Sequence, residues 1–241
     1  MSIIEQFSWR RLGLFMKSDL VMNSSKIFTF ALTIFVVLFL YGLISLDGLR
    51  ADNFHTDAFA LLLFFGGLWL TSRTFADLHN KERSQSFLLL PVSNLEKLLG
   101  RLLLTTIGYI VGVVLIFYIV SLLVAGFAWL ALSETAVIFQ PIHKNIIHYF
   151  VNYILLQSIF FLGSIYFKSN NFNKTILCLC GLTLGVFLVK GVIFSVFLGA
   201  NFLNGWQVLM LYGTKIQLIF TIMVPPCAWL VAYLRLCESE V

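Results

Sequence analysis

The chain has 241 residues, of which 60% are hydrophobic and only 11% are charged. Soluble domains carry about 25% charged residues, so this composition excludes a water-soluble core and favours one membrane domain over residues 1–241. The net charge of +5 does not indicate nucleic-acid binding, because the basic residues lie at the ends of apolar runs, as membrane topology requires.

Residues 1–26 are predicted to form an interfacial helix on the membrane surface. Ser2 and Glu5 have the spacing of a capping box, in which each residue caps the other's backbone. Apolar residues fall roughly on one helical face, although Arg11 interrupts it; they are Ile3, Ile4, Phe7, Leu14 and Phe15. The alternative is a loosely ordered basic tail that only fixes the orientation of the chain.

Six apolar runs are predicted to cross the membrane as helices. A hydrocarbon core about 30 Å thick takes roughly 20 apolar residues per helix. The runs are continuous rather than alternating, which favours helices over a barrel. The predicted spans are residues 27–46, 58–74, 102–132, 146–167, 175–200 and 215–234.

The distribution of Lys and Arg predicts the orientation of these spans. With the N-terminus inside, the inner segments hold 12 basic residues and the outer segments hold three, so both termini are expected to be cytoplasmic. Among the outer connections, residues 201–213 are mostly apolar but too short to cross. They are typical of a re-entrant or interfacial element, the alternative being a simple extension of the sixth span.

The most polar segment between two spans, residues 71–101, is predicted to be cytoplasmic. Its centre carries charges that hydrocarbon cannot hold, on Asp77, His79, Lys81, Glu82 and Arg83. Ser93 and Glu96 then have the spacing of a capping box, and leucines at helical spacing follow them. A proline at position 91, a capped helix start and dense charge beside a membrane together indicate a docking element for a partner.

No catalytic or cofactor motif accompanies the spans. The chain lacks even one Gly-Lys dipeptide, so it has no phosphate-binding loop and cannot hydrolyse ATP by that route alone. No span centre holds Asp or Glu, which disfavours a proton-coupled carrier, and no residue pattern indicates a metal site. We therefore expect no enzymatic activity and no cofactor in this chain itself.

Lys190 is the single formal charge inside a predicted span other than Arg73 and Lys215, which lie at span ends. An ionisable residue in the membrane indicates function, so Lys190 is a candidate for the substrate pathway or for contact with an anionic headgroup. The alternative is a lysine that extends its stem toward the interface or pairs with a carbonyl. Pro225 and Pro226 predict a kink in the last span.

Residues 75–103, FADLHNKERSQSFLLLPVSNLEKLLGRLL, resemble the corresponding segment of small permease subunits of type-2 ATP-binding-cassette (ABC) exporters. Those permeases carry a leucine-proline-x-serine element followed by a Glu-Lys helix, matched here by Leu90, Pro91, Ser93, Glu96 and Lys97. The resemblance extends to the plan of an interfacial N-terminal helix, six spans, both ends inside and an apolar outer segment before the last span.

The resemblance implies a permease that dimerises and docks on a separate ATPase subunit, which holds ATP and Mg. The helix around residues 77–86 would enter a groove on that ATPase, and the fifth span would lie near the dimer axis. The implied docking residues are Asp77, His79, Lys81, Glu82, Arg83, Ser84, Pro91, Ser93, Glu96 and Lys97. The expected function is export of a hydrophobic or amphipathic substrate across the bacterial inner membrane. The alternative is a non-transporting scaffold or immunity protein that acts through protein contacts.

Overall fold

The computed structural model describes residues 7–44, 57–79, 92–132, 139–141, 144–197 and 202–238. Every regular element in these ranges is a helix, and no strand occurs in them. The expected all-α class is therefore confirmed for the described part of the chain. The predicted capping box of Ser2 and Glu5 lies outside it.

Eight helices make up the described chain. We number them α1 (Trp9–Met22), α2 (Ser24–Ile44), α3 (Asp57–Ser72), α4 (Asn94–Leu103), α5 (Tyr109–Leu132), α6 (Lys144–Tyr166), α7 (Asn171–Phe197) and α8 (Phe202–Glu238). A π-helical turn, Leu62–Gly66, lies within α3, and another, Leu104–Gly108, joins α4 to α5. A short 3-10 helix, Ala76–His79, follows α3.

Five of these helical segments are long and apolar enough to cross a membrane. They are Ser24–Ile44, Asn94–Leu130, Ile146–Tyr166, Asn171–Val189 and Ile219–Glu238. The predicted second span corresponds to α3, which is apolar but shorter, rising about 24 Å at 1.5 Å per residue. Five candidate spans are thus present in the described residues, while a sixth stays a prediction.

The surfaces of these helices are apolar over most of their area. The most apolar stretch of α7 is only 6% buried and that of α2 only 11%. Large side chains such as Leu177 and Phe187 are about three-quarters exposed, at 75% and 74%. Water would penalise each such side chain by roughly 1.5–3 kcal/mol relative to an apolar environment. The exposed surface is therefore compatible with a multi-pass membrane protein.

Of the two alternatives for residues 201–213, the structure favours an extension of the last span. From Phe202 the backbone continues as one helix, α8, to Glu238, which is the alternative of an extended last span. A continuous helix satisfies its backbone groups internally, and this is what an apolar environment favours. Pro225 and Pro226 lie inside α8 without ending it, so the kink expected there stays a prediction.

Two clusters of buried side chains hold the helices together. The first joins α2, α3, α5 and α6 through aromatic contacts, such as Phe59 with Phe117 at 5.3 Å between ring centroids. The second joins α1, α4, α6, α8 and the residues after α3; its buried members are Phe15, Phe75, Leu98, Leu102, Phe161, Ile165, Ala232 and Leu236. Because Phe15 and Leu236 belong to one cluster, α1 and the end of α8 lie at the same end of the bundle.

Close packing of α3 against α5 and α6 depends on glycine. A Cβ placed on Gly67 would lie 2.5 Å from Cε2 of Tyr153 and 2.7 Å from Cε1 of Tyr109. Both rings are largely buried, so they have little room to retreat. The glycine thus sets how closely α3 approaches the two tyrosines.

We expect Gly67→Ala to lower the free energy of unfolding by about 1–3 kcal/mol, since overpacking a buried contact forces side chains off their preferred rotamers. Thermal unfolding in detergent measures this. The matched control is Gly112→Ala in α5, where a Cβ meets no atom within 4 Å. Equal stability of the two variants would contradict the close approach.

Candidate functional site

We call residues 74–93 the charged segment. The helix that follows it begins with a capping box, as predicted. Ser93 is the N-cap of α4, and its hydroxyl accepts a hydrogen bond from the Glu96 N–H at 3.3 Å. In return, Oε2 of Glu96 accepts a hydrogen bond from the Ser93 N–H at 3.0 Å. Two backbone donors at the start of α4 are thereby satisfied, which fixes where the charged segment ends and the helix begins.

The second oxygen of the same carboxylate caps a second helix. Oε1 of Glu96 accepts a hydrogen bond from the N–H of Ser8, the N-cap residue of α1, at 2.6 Å. It also forms an ion pair with Nη2 of Arg11 at 3.1 Å. One side chain therefore ties the start of α1 to the start of α4. We call Ser8, Arg11, Ser93 and Glu96 the helix junction.

The helix junction stabilises the charged form of Glu96, whose side chain is fully buried. It lies at the entrance of α4, before the apolar stretch that begins at Leu102. Burial raises the pKa of Glu96, but the N–H groups of Ser93 and Ser8 and the guanidinium of Arg11 together hold it below its ordinary value of 4.5. The N-termini of two helices point their positive ends at this carboxylate, which adds to the same effect.

Apolar packing next to the junction holds α1 along α4. Leu12 and Phe15 of α1 are buried, at 3% and 7% exposure. A Cβ on Gly100 would lie 2.8 Å from Cδ1 of Phe15 and 3.5 Å from Cδ1 of Leu12, so the absence of a side chain there permits the contact. Leu14, predicted on the apolar face of the interfacial helix, is 60% exposed. Arg11 does not interrupt a membrane-facing stripe, because it faces Glu96.

A second contact ties the beginning of the charged segment to α4. The guanidinium of Arg101 donates a hydrogen bond to the carbonyl of Thr74 and lies 5.1 Å from the ring of Phe75. Phe75 is fully buried and packs edge-to-face on Phe161. A cation at the end of α3 also suits the negative end of that helix. Both ends of the segment 74–93 are thus fastened to the same helix.

The predicted docking residues divide into three groups. Asp77 and His79 lie in the 3-10 helix, whereas Lys81, Glu82, Arg83, Ser84 and Pro91 lie outside the described residues. Ser93, Glu96 and Lys97 come together at the start of α4. Glu96 and Lys97 are buried, at 0% and 1% exposure, so within this chain they position the charged segment rather than form its outer surface. Contact of the segment with a partner stays a prediction.

A chain of polar contacts, which sequence reasoning missed, continues from α4 into the apolar bundle. The hydroxyl of Tyr109 donates to the carbonyl of Leu62 at 2.7 Å, and that of Tyr153 donates to the carbonyl of Thr105 at 2.8 Å. Gln157 Nε2 donates to Thr105 Oγ1 at 3.2 Å. Leu62 and Thr105 each belong to a π turn, a geometry found often at functional sites. We call these contacts the polar seam.

The remaining candidate residue, Lys190, lies on α7, and its side chain is outside the described residues. Its place on a substrate pathway therefore stays a prediction. Among the described residues no group of three or more His, Cys, Asp or Glu side chains is arranged to hold a metal. Comparison of the chain with family models, with curated proteins and with solved structures found no match. The fold and the helix junction define an all-helical protein compatible with several membrane crossings.

We expect Glu96→Gln to destabilise the helix junction by about 1–3 kcal/mol, because the new amide N–H₂ faces donors where the carboxylate accepted hydrogen bonds. Hydrogen exchange of the α1 backbone should rise, while α6 stays protected. The matched control is Glu238→Gln, which removes an exposed ion pair with Arg235 and should change exchange little. Unchanged protection of α1 in Glu96→Gln would contradict the role of the carboxylate.

The junction should also loosen in acid. Since the pKa of Glu96 is lowered in the folded protein, its stabilisation is fully present above about pH 4.5 and is lost as the pH falls through the folded value. We expect α1 to lose hydrogen-exchange protection in that range, after correction for intrinsic rates. In Glu96→Gln this dependence on pH should disappear. A dependence that persists in the variant would assign it to another group.

Proposed function

We propose that the chain is the membrane-spanning subunit of an ABC exporter, which moves a hydrophobic or amphipathic substrate across the bacterial inner membrane. A separate ATPase subunit supplies the energy. The observation that carries this proposal is the double fastening of the charged segment: Arg101 holds its beginning, and the helix junction holds its end. A partner that moves the segment must therefore move helices as well.

The sequence has no phosphate-binding loop and no carboxylate at the centre of an apolar span, so it offers no visible internal source of work. A transporter of this composition has to receive work from another chain. The segment 71–101 is the part of the sequence with the charge density to meet a soluble partner.

Rigid attachment at the base of the segment supports a mechanical role. Glu96 satisfies backbone donors of two helices at once, and Phe15 packs tightly over Gly100. The second core cluster adds the ends of α6 and α8 to the same unit. A displacement of the charged segment would therefore carry α1, α4 and these helix ends together.

The polar seam offers a route for that displacement into the bundle. The helix α4 leads directly into the π turn of Leu104–Gly108, where the carbonyl of Thr105 is held by Tyr153. Just beyond this turn, Tyr109 reaches across to the π turn of α3. Coupling of this kind requires an element with two arrangements that both sites bias, and a π turn held by side-chain hydrogen bonds is suited to that role.

Other parts of the proposal rest on the resemblance of residues 75–103 alone. These are a homodimer of the permease, and ATP and Mg on the partner. The side of the membrane follows from the excess of Lys and Arg in the inner segments. A role for Lys190 in the substrate pathway rests on its charge inside a predicted span.

The first test is purification of the tagged chain in mild detergent from cells that express the neighbouring genes, with mass spectrometry of the copurifying proteins. We expect a stoichiometric ATPase. It should be lost when residues 77–83 are replaced by a neutral linker. In the reconstituted complex, Glu82→Lys with Arg83→Glu should uncouple ATP hydrolysis from transport while the spans stay folded.

The control is an exposed ion pair at the same end of the bundle, Arg235 with Glu238. Its charge reversal, Arg235→Glu with Glu238→Arg, should leave the ATPase bound. A homo-oligomer that purifies without any nucleotide-binding partner would contradict the transporter proposal and favour the scaffold or immunity protein. If the control variant loses the ATPase as fully as the linker replacement does, the charged segment has no specific role in docking.

A further inference from the structure

Aromatic rings of α3 and α7 form an exposed apolar surface on the outside of the bundle, which we call the aromatic groove. Phe172, in the first turn of α7, contacts Trp69 at 5.4 Å and Phe65 at 5.9 Å between ring centroids. Trp69 and Phe65 are 41% and 63% exposed, so the two rings form an open apolar wall. On its inner side Phe172 packs against the buried ring of Phe160. Phe172 is therefore packed against the buried core, while Phe65 and Trp69 are exposed.

An arginine lies at the mouth of this groove. The guanidinium carbon of Arg73 is 4.7 Å from the centre of the Trp69 ring. No hydrogen bond or ion pair joins its side chain to another residue in the described ranges. The guanidinium thus lies over the ring, and its fork of N–H donors is suited to bidentate contact with a phosphate.

Two lysines lie on the part of the chain that borders the same end of the groove. Asn171 donates a hydrogen bond to the carbonyl of Ser72, at 3.4 Å, and this brings the start of α7 beside Arg73. Lys174, one turn further along α7, turns its ammonium back to Ser169 Oγ at 3.3 Å, so it lies near the loop that carries Lys168. Both lysines are exposed.

No carboxylate in the sequence is placed to neutralise this patch from α6 or α7. The stretch 135–237 contains no Asp or Glu, and residues 58–76 contain none either. The described contacts of Arg73, Lys168 and Lys174 include no acidic side chain. Arg73, Lys168 and Lys174 therefore lie on the chain segments that border the groove, and the described residues show no acidic partner for them.

We propose that this groove is a binding site for an anionic phospholipid. The phosphodiester lies against Arg73 and Lys174, and the acyl chains follow the aromatic wall of Phe65, Trp69 and Phe172. Charge complementarity commits the site to an anionic headgroup, since a zwitterionic lipid brings its own cation to a patch that already has three. The apolar wall commits it to a lipid, since free phosphate would make no contact with the exposed rings.

The site lies at the end of the bundle that carries the second core cluster. Phe75 of that cluster follows Arg73 by two residues, and Ile165 precedes Lys168 by three. The lipid would therefore occupy the leaflet on the side of the charged segment. Its binding does not depend on whether the chain is a transporter.

The test uses the purified full chain in detergent, titrated with dioleoyl-phosphatidylglycerol or with dioleoyl-phosphatidylcholine, and native mass spectrometry of the bound lipid. We expect preferential binding of phosphatidylglycerol. The double variant Arg73→Gln with Lys174→Gln should weaken it about tenfold, because each basic residue near an anionic lipid contributes substantially to binding. Arg73→Lys keeps the charge but loses the forked N–H donors of the guanidinium. Its binding of phosphatidylglycerol should lie between that of the unchanged protein and that of the double variant.

The matched control removes two exposed lysines from the N-terminal half, Lys17→Gln with Lys26→Gln. It changes the net charge equally and should leave binding at the groove unchanged. Equal binding of the two lipids, or equal loss in the control, would overturn the site. Displacement of the lipid by an equal concentration of inorganic phosphate would show an anion site without lipid character. If the double variant does not fold, the single surface change Lys174→Gln should still weaken binding.

Discussion

One buried carboxylate sets the relation of the N-terminal helix to the rest of the chain. Glu96 accepts hydrogen bonds from the backbone of Ser93 and of Ser8, and it pairs with Arg11. Removing such a group leaves several donors without an acceptor, each at a cost of about 1–3 kcal/mol. Because α1, the charged segment and α4 all meet at this one side chain, the positions of all three depend on it.

The sequence predicted the hydrogen bonds between Ser93 and Glu96 but not the contacts of Glu96 with α1. The spacing of Ser93 and Glu96 was sufficient for the capping box, because both partners lie within one helical turn. Ser8 and Arg11 are 88 and 85 residues away, and no periodicity connects them to Glu96. Arg11 was therefore interpreted as an interruption of an apolar stripe.

Hydropathy likewise predicted where the helices lie, but it did not predict the polar contacts between them. Continuous apolar runs predicted the five candidate spans, but they left residues 201–213 open between a separate element and an extension of the last span. The tyrosines of the seam carried a usable signal, since a buried hydroxyl in an apolar run needs an acceptor. Nothing in the sequence indicated that the acceptors would be carbonyls at π turns, because a π turn has no pattern of residue types.

The helix junction and the polar seam give opposite mechanical properties to neighbouring parts of one helix. At its start, α4 is held by a charged network and close packing over Gly100, so it should move as a unit with α1. A few residues later the backbone passes through a π turn, whose hydrogen bonds differ in register from those of the helices on either side. Sharp kinks in helices occur at turns of this kind. Under the proposed function, a rigid base followed by an adaptable turn would convert a push on the charged segment into a rearrangement within the spans.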